Sequence, residues 1–447
     1  MAQTIKNLAT QLQSGEISSS SLVESALIAA ERSNSVFVTL NADQVRLDAV
    51  EVDRARKEGE ALPPYAGIPI TLKDLFDVRG EVTTAGSRVL AFDPPVEVDA
   101  PVVKNLRDAG FIFLGRVNMS EFAFSGMGAN PHYGTPLSVW DRETQRLPGG
   151  SSSGSGVSVA EGIVPGSIGS DTAGSTRIPA AFNSIFGFKP SYGRFPLEGI
   201  YPLSPTTDAP GPLANSVECC YLLDAAMDGD HAPIELAPKP IDQLKLRVPQ
   251  AAVMDDLDPE VEQAFERTIN HLRELGCAID AEPMPVLDQL LTLFQSTPLA
   301  TYEAFQAHRV RLKMRADEYD PFVSWRIGSG ADISDVDYKT ALAHRDDLIA
   351  RFNLEMEGYD AVVYPTVASL PPKLVEIVSH EAARPINFRC LRNTSTANYF
   401  DGCSISLPCT DIGEPPVGLM LSAPKNRDFA LFNTASSVEK VLTDVRR

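Results

Sequence analysis

Apolar residues near the start of the chain recur at spacings of three and four, the period of a helix with one buried face. Ser18 to Ser21 can cap a helix running through Leu22, Ala26, Leu27 and Ala30. A second amphipathic run, about Ala42 to Glu58, is charged on one face, and Pro63-Pro64 ends it. The N-terminal segment, about 1–60, is expected to be helical. From Ala66 the texture changes. Ile68-Pro69-Ile70-Thr71-Leu72 reads as a short buried strand, and the helical run Pro101 to Ala109 leads into a second one, Ile112-Phe113-Leu114-Gly115. The section from about Val253 to Ala350 is patterned mainly as helix, as in Val261 to Leu275 and Asp337 to Asn353. Strands return at Ala361 to Pro365, Cys403 to Pro408 and Val417 to Leu421, and a helix of about Arg427 to Leu442 follows. Short apolar strands alternating with helices predict an α/β protein. No internal repeat or low-complexity linker divides it.

Composition narrows the function classes. The 447 residues are 43% hydrophobic and 22% charged, the balance of a soluble globular protein with a large core. A net charge of −20 argues against binding nucleic acid through its phosphates, which takes clustered Lys and Arg. The six cysteines include no C-x-x-C and read as buried thiols in a reducing compartment. No signal peptide pattern is visible, and no uninterrupted apolar run approaches the ~18 residues of a membrane span. A cytoplasmic protein is expected.

Candidate chemistry is concentrated in two glycine/serine clusters. Gly149-Gly150-Ser151-Ser152-Ser153-Gly154-Ser155-Gly156 and Gly169-Ser170-Asp171-Thr172-Ala173-Gly174-Ser175-Thr176-Arg177 flank the apolar run Val157 to Ile168. Glycines permit tight turns and leave backbone N–H groups uncovered, while serine hydroxyls can act as nucleophiles or carry protons. Gly150-Ser151-Ser152-Ser153-Gly154 formally satisfies G-x-S-x-G, a pattern that arises easily in any Gly/Ser run. His380-Glu381 opens a zinc-like motif that fails at Arg384, and no phosphate-binding P-loop occurs. A serine nucleophile without an obvious histidine needs another base. A buried lysine can serve if its pKa falls from ~10.4 toward ~7–8. Lys73, directly after the apolar strand, is the candidate. An ion pair with Asp74 or Asp77 is the alternative role.

Lys73, the Gly149 to Ser152 turn and the pattern Gly169-x-Asp171-x-x-Gly174-Ser175-x-Arg177-x-Pro179 closely resemble the amidase signature family. The resemblance continues through Gly187 to Arg194, Gly211-Pro212-Leu213, Tyr364-Pro365-Thr366 and Ser404 to Cys409, and covers about residues 22–440 of a single expected domain, 1–447. It implies one α/β domain, a mixed central sheet with helices on both faces. It also implies a Ser–cis-Ser–Lys triad: Ser175 as nucleophile, Ser151 as bridging serine after a cis bond from Gly150, and Lys73 as terminal base. Backbone N–H groups of Thr172, Ala173, Gly174 and Ser175 are expected to form the oxyanion hole, with Asp171 and Arg177 tying the loop together. Ala173 and Ser153 stand where glycine is common in the family, and Leu137-Ser138-Val139-Trp140 lacks the usual Asn-Pro, which weakens inference about the acyl pocket.

The implied function is hydrolysis of a small or medium non-peptide amide, with carbamates and esters as related carbonyl substrates. No metal or cofactor is implied, and a homodimer is compatible with this reading. Met127, Ser152 and Tyr133 are the candidate substrate-binding residues, and Phe122, Phe124, Ile200 and Tyr201 could line an apolar pocket. One rival is the glutamine-hydrolysing component of the tRNA-dependent glutamine amidotransferase, which shares the triad but passes ammonia to a partner. Its acidic glutamine-recognition residue aligns with Leu391 here, beside Arg392. Arg326 could still meet a carboxylate. The other rival is a non-catalytic binding protein of the same fold, which retention of Lys73, Ser151 and Ser175 together disfavours.

Overall fold

The computed structural model describes residues 3–411 and 413–445; residues 1, 2, 412, 446 and 447 of the expected single unit lie outside the described residues. Eleven strands form one sheet: β1 Phe37–Leu40, β2 Pro69–Lys73, β3 Ile112–Val117, β4 Gly166–Asp171, β5 Phe186–Lys189, β6 Ala209–Ala214, β7 Lys245–Gln250, β8 Ala278–Pro283, β9 Ala361–Pro365, β10 Cys403–Pro408 and β11 Gly418–Ala423. Their order is β1-β3-β2-β4-β6-β5-β10-β11-β9-β7-β8. The sheet is mixed: β3, β2 and β4 run parallel, the centre from β4 to β9 is antiparallel, and β9, β7 and β8 are parallel again.

Side-chain alternation divides the core. In β9, Ala361 and Val363 join one apolar cluster while Val362 and Tyr364 join another, as the period of a strand requires. In β11, Leu419 and Leu421 face the first cluster and Met420 the second. Every position of β2, β4, β5, β6, β9, β10 and β11 is buried, so both faces of the sheet are covered. This is the expected α/β architecture.

The expected helix after Ser18 is Ser19–Arg32, closed by a capping box between Ser18 and Ser21 and burying Val23, Ala26, Leu27 and Ala30. The N-terminal segment is not wholly helical, however. β1 interrupts it and pairs antiparallel with β3, covering a sheet edge. The mainly helical middle section also contains β8, a charged and exposed edge strand that its pattern does not predict. All six cysteines are buried free thiols. Among the described residues no helix is long and apolar enough to cross a membrane.

The topology positions the site. β2 and β4 are parallel neighbours, registered Thr71 to Ser167 and Leu72 to Ile168, so Lys73 and Ser170 emerge at the same end of the sheet. The carboxyl ends of parallel strands are where α/β folds place ligands. The helix Ser153–Ala160 packs tightly beside them. A Cβ on Gly154 would stand 2.5 Å from the Asn118 nitrogen and 2.6 Å from the Val36 oxygen, which explains glycine there.

Candidate active site

Lys73, the last residue of β2, is fully buried. Its Nζ lies 2.7 Å from Ser151 Oγ and 2.8 Å from Ser170 Oγ. Burial pushes its pKa down from 10.5 to about 7, against a weaker upward pull from Asp171 and Asp208. Neither proposed ion-pair partner is available to it. Asp74 pairs with the buried Arg116 at 2.6 Å and receives the Gly86 N–H, and Asp77 accepts the Thr83 hydroxyl. A neutral amine has two N–H groups and one lone pair. Donation to Ser170 orients it and leaves the lone pair for Ser151.

The Gly150–Ser151 peptide is cis, as the resemblance implied. The Ser151 carbonyl accepts from the N–H groups of Ser120 and Ser153, at 3.0 and 2.9 Å. Ser175 follows the turn after β4 and is 4% exposed. Its carbonyl accepts from Ser152 N–H at 3.3 Å, while its hydroxyl has no hydrogen-bond partner among the described residues. The structure thus brings both serine clusters and Lys73 to one place.

The turn itself is braced from below. Asp171 and Arg177 form a fully buried bidentate pair, with contacts of 2.8 and 3.1 Å. Burial alone would raise the Asp171 carboxyl, but the Arg177 guanidinium holds it well below the usual carboxylate range. Arg177 also donates to the Thr394 carbonyl, and Thr394 Oγ1 donates to the Ala173 carbonyl at 2.6 Å. Gly174 has φ +130°, and a Cβ there would lie 2.1 Å from Thr394 Oγ1, so only glycine fits. One expectation needs correction. The Gly174 N–H is spent on Asp171 Oδ1 at 2.8 Å and cannot serve an oxyanion. The N–H groups of Thr172, Ala173 and Ser175 donate to no partner among the described residues.

Two cavities that share lining residues lie beside the site, the inner one over Ser175. The inner one is lined by Ser175, Thr172, Ala173, Ser125, Phe124 and Leu203. It shares Phe294, Pro298, Thr301, Arg326 and Leu391 with an outer cavity of about 560 Å³, which adds Phe322, Trp325, Arg384, Asn387 and Phe388. Met127, Ser152 and Tyr133 line neither. Met127 is 2% exposed in a core with Leu147, Ile178 and Phe182. Ser152 braces the loop by donating to the Ser170 carbonyl at 3.2 Å, and the Tyr133 backbone is tied to Asn130. Of the apolar candidates Phe124 lines the cavity over Ser175. Ile200 and Tyr201 line a small adjoining cavity with Ser170, Thr172 and Asp208, and Phe122 packs edge-on or tilted against Tyr201, His308 and Tyr319. Sequence reasoning missed Ser170, Thr394 and the aromatic walls from residues 294–388. Ser170 lies inside the second glycine/serine cluster and could have been found there, whereas the walls carry no local signature.

With this geometry in hand, comparison places the chain. The family described as Amidase matches residues 21–432, and the chain belongs to that amidase signature family. It is 32% identical to 2-amino-5-chloromuconic acid deaminase of Comamonas testosteroni, over 91% of this chain and 88% of that protein. It is 33% identical to indoleacetamide hydrolase of Pseudomonas savastanoi, over 99% and 98%. It is also 32% identical to a glutamyl-tRNA(Gln) amidotransferase component of Symbiobacterium thermophilum, over 96% and 94%. A crystal structure of an amidase superposes with a TM-score of 0.88 at 31% identity, covering 98% of this chain and 99% of that one.

Proposed function

We propose that this protein is an amidohydrolase that cleaves the carbon–nitrogen bond of a small or medium non-peptide amide through a Ser175–Ser151–Lys73 relay. The observation that carries the reading is Lys73: fully enclosed, bonded to Ser151 at 2.7 Å, and with a pKa lowered to about 7. A general base works best with a pKa near the operating pH. Neutral Lys73 takes the Ser151 proton as Ser151 takes the Ser175 proton. Ser175 Oγ attacks the carbonyl carbon, and the N–H groups of Thr172, Ala173 and Ser175 receive the developing oxyanion. Running the relay backwards protonates the leaving nitrogen, and the C–N bond breaks to leave acyl-Ser175. Water, activated by the same relay, then releases the acid. Carbamates and esters present a similar carbonyl and fit the same chemistry.

Two relatives named as an acid deaminase and an amide hydrolase support this class. The amidotransferase relative supports the rival reading, in which glutamine supplies ammonia to a partner. Against that reading, Leu391 lines both cavities, neither has an Asp or Glu among its described lining residues, and Asp208 of the adjoining small cavity is engaged by the Thr172 hydroxyl and the N–H groups of Leu203 and Ser204. Ammonia or amine release from a panel of aryl amides, aliphatic amides and carbamates tests the proposal. Turnover of at least one class by the purified chain, lost in Ser175→Ala, is expected. Turnover of glutamine alone, and only with a partner protein, would favour the rival.

A further inference from the structure

Glu121, shortly after β3, is fully buried and stands outside the Ser175–Ser151–Lys73 relay. The chain turns tightly behind it. Phe122 and Ala123 have φ of +51° and +59°, a conformation that non-glycine residues hold only where their surroundings impose it. That turn lets one short loop serve the site twice: the Ser120 N–H donates to the Ser151 carbonyl at 3.0 Å, and Ala123, Phe124 and Ser125 line the cavity over Ser175. The Glu121 carboxylate is fixed at Oε1, which accepts the Ser87 hydroxyl at 2.6 Å and lies 2.9 Å from His132 Nε2. Its Oε2 accepts the backbone N–H of Asp320 at 2.6 Å, from 199 positions along the chain. Asp320 is the N-cap of the helix Pro321–Gly328, and its own side chain accepts the Phe322 N–H at 2.8 Å. In a capping box a Glu or Gln at the third helical residue reaches back to the N-cap N–H. Here that residue is Val323, which cannot accept a hydrogen bond, and Glu121 completes the box from across the site. A carboxylate makes this bond about twice as strong as a neutral acceptor would.

Resting on the amidase reading, we propose that Glu121 is a positioning residue for substrate selection: it docks the start of the helix Pro321–Gly328 on the loop that supports Ser151, and so sets the binding of acyl groups long enough to reach the outer cavity. From that helix a short acyl group meets Arg326 alone, whereas a long one also meets Phe322 and Trp325. Loss of the Glu121 bond frees the first turn, where Phe322 sits. Arg326, at the other end, stays tied to the Phe124 carbonyl at 2.9 Å. Long and short substrates therefore respond differently.

The test measures kcat and KM for 4-phenylbutanamide and acetamide in the parent and in variants of both bonding partners. Glu121→Ala should lower the kcat/KM ratio of 4-phenylbutanamide to acetamide by on the order of 10-fold, with the loss in KM. Glu121→Gln, whose amide oxygen can still accept the Asp320 N–H, should keep most of the ratio. Misfolding lowers the active fraction for both substrates together and leaves the ratio where it was. Asp320→Pro removes the donor without touching Glu121: Asp320 has φ −55°, which proline adopts, and Tyr319 before it is extended. Asp320→Ala loses the side-chain cap but keeps the N–H, so the ratio should fall well below its Asp320→Ala value in Asp320→Pro. A ratio unchanged in Glu121→Ala, or equal in Asp320→Pro and Asp320→Ala, overturns the proposal. Calorimetric binding of 4-phenylbutanamide to Ser175→Ala, with and without Asp320→Pro, separates the two readings. Weaker binding with Asp320→Pro, in a protein whose parent hydrolyses neither amide, keeps the Glu121 assignment and removes the hydrolase reading. Hydrolysis of both amides with an unmoved ratio does the reverse, and neither hydrolysis nor binding overturns both.

Discussion

Replacing Lys73 with methionine should stabilise the protein at low pH and destabilise it at high pH. In the unfolded chain the amine stays protonated up to 10.5, whereas the folded chain releases the proton at about 7. Between those values the unfolded state binds more protons, so stability rises with pH across the window. Below about 7 the folded protein carries the whole penalty of a buried ammonium, and above 10.5 none of it. The fall from 10.5 to about 7 corresponds to about 5 kcal/mol. Methionine fills the same space without that penalty, but it strips Ser151 and Ser170 of their bonds to Nζ, at about 1 kcal/mol each. The variant should therefore gain about 3 kcal/mol over the parent at pH 6 and lose about 2 kcal/mol once Lys73 is neutral in both states. Guanidinium denaturation of both proteins at pH 6, 8 and 10 measures the difference, and titrations common to both cancel. A parent-minus-variant difference that does not move with pH would refute a strongly depressed Lys73.

Further outcomes follow from the same geometry. The rate kcat/KM should fall about tenfold per pH unit below about 7, as Lys73 takes up its proton, and Lys73→Arg should stay inactive because guanidinium does not deprotonate in this range; a flat profile from pH 5 to 9 would speak against lysine as base. Ser151→Ala should harm an anilide far more than a matched nitrophenyl ester, since only the amine must be protonated to leave; equal losses would make Ser151 a mere loop support. Arg177→Met strands the Asp171 carboxylate in the core and should cost about 3–5 kcal/mol in a denaturation midpoint; a change under about 1 kcal/mol would show that the pair is dispensable.

How far the sequence spoke depended on what each segment had to touch. β2, β9 and β10 announce themselves as apolar runs because helices cover both their faces. β4 does not. A Cβ on Gly166 would come within 2.5 Å of Leu223, and one on Gly169 within 2.7 Å of Ser152 Oγ, so close packing selects glycine where a strand ordinarily shows branched side chains. β6 carries Pro210 and Pro212, which remove ladder donors; they face Ser170 and Ile168 of β4, while β5 pairs only with Leu213 and Ala214 beyond them. At the site, the glycine and serine motifs pointed to Ser151 and Ser175 because backbone shape there demands fixed residue types, and Lys73 stood out as the lysine that ends an apolar strand. Phe294, Phe322 and Phe388 come from distant helices whose own patterns show only amphipathic packing. Their meeting in one cavity is a tertiary fact with no local trace. Met127 looked like a pocket residue because it precedes the serine loop, yet it faces the core.

The most direct measurement is to treat the purified protein with a serine-directed fluorophosphonate and map the adduct by peptide mass spectrometry. A single adduct on Ser175, formed more slowly as pH drops below about 7 and blocking amide hydrolysis in proportion to labelling, is the predicted result. Labelling at Ser151 or Ser152 instead, or full hydrolytic activity in a protein whose Ser175 is quantitatively modified, would contradict the assignment of Ser175 as the nucleophile.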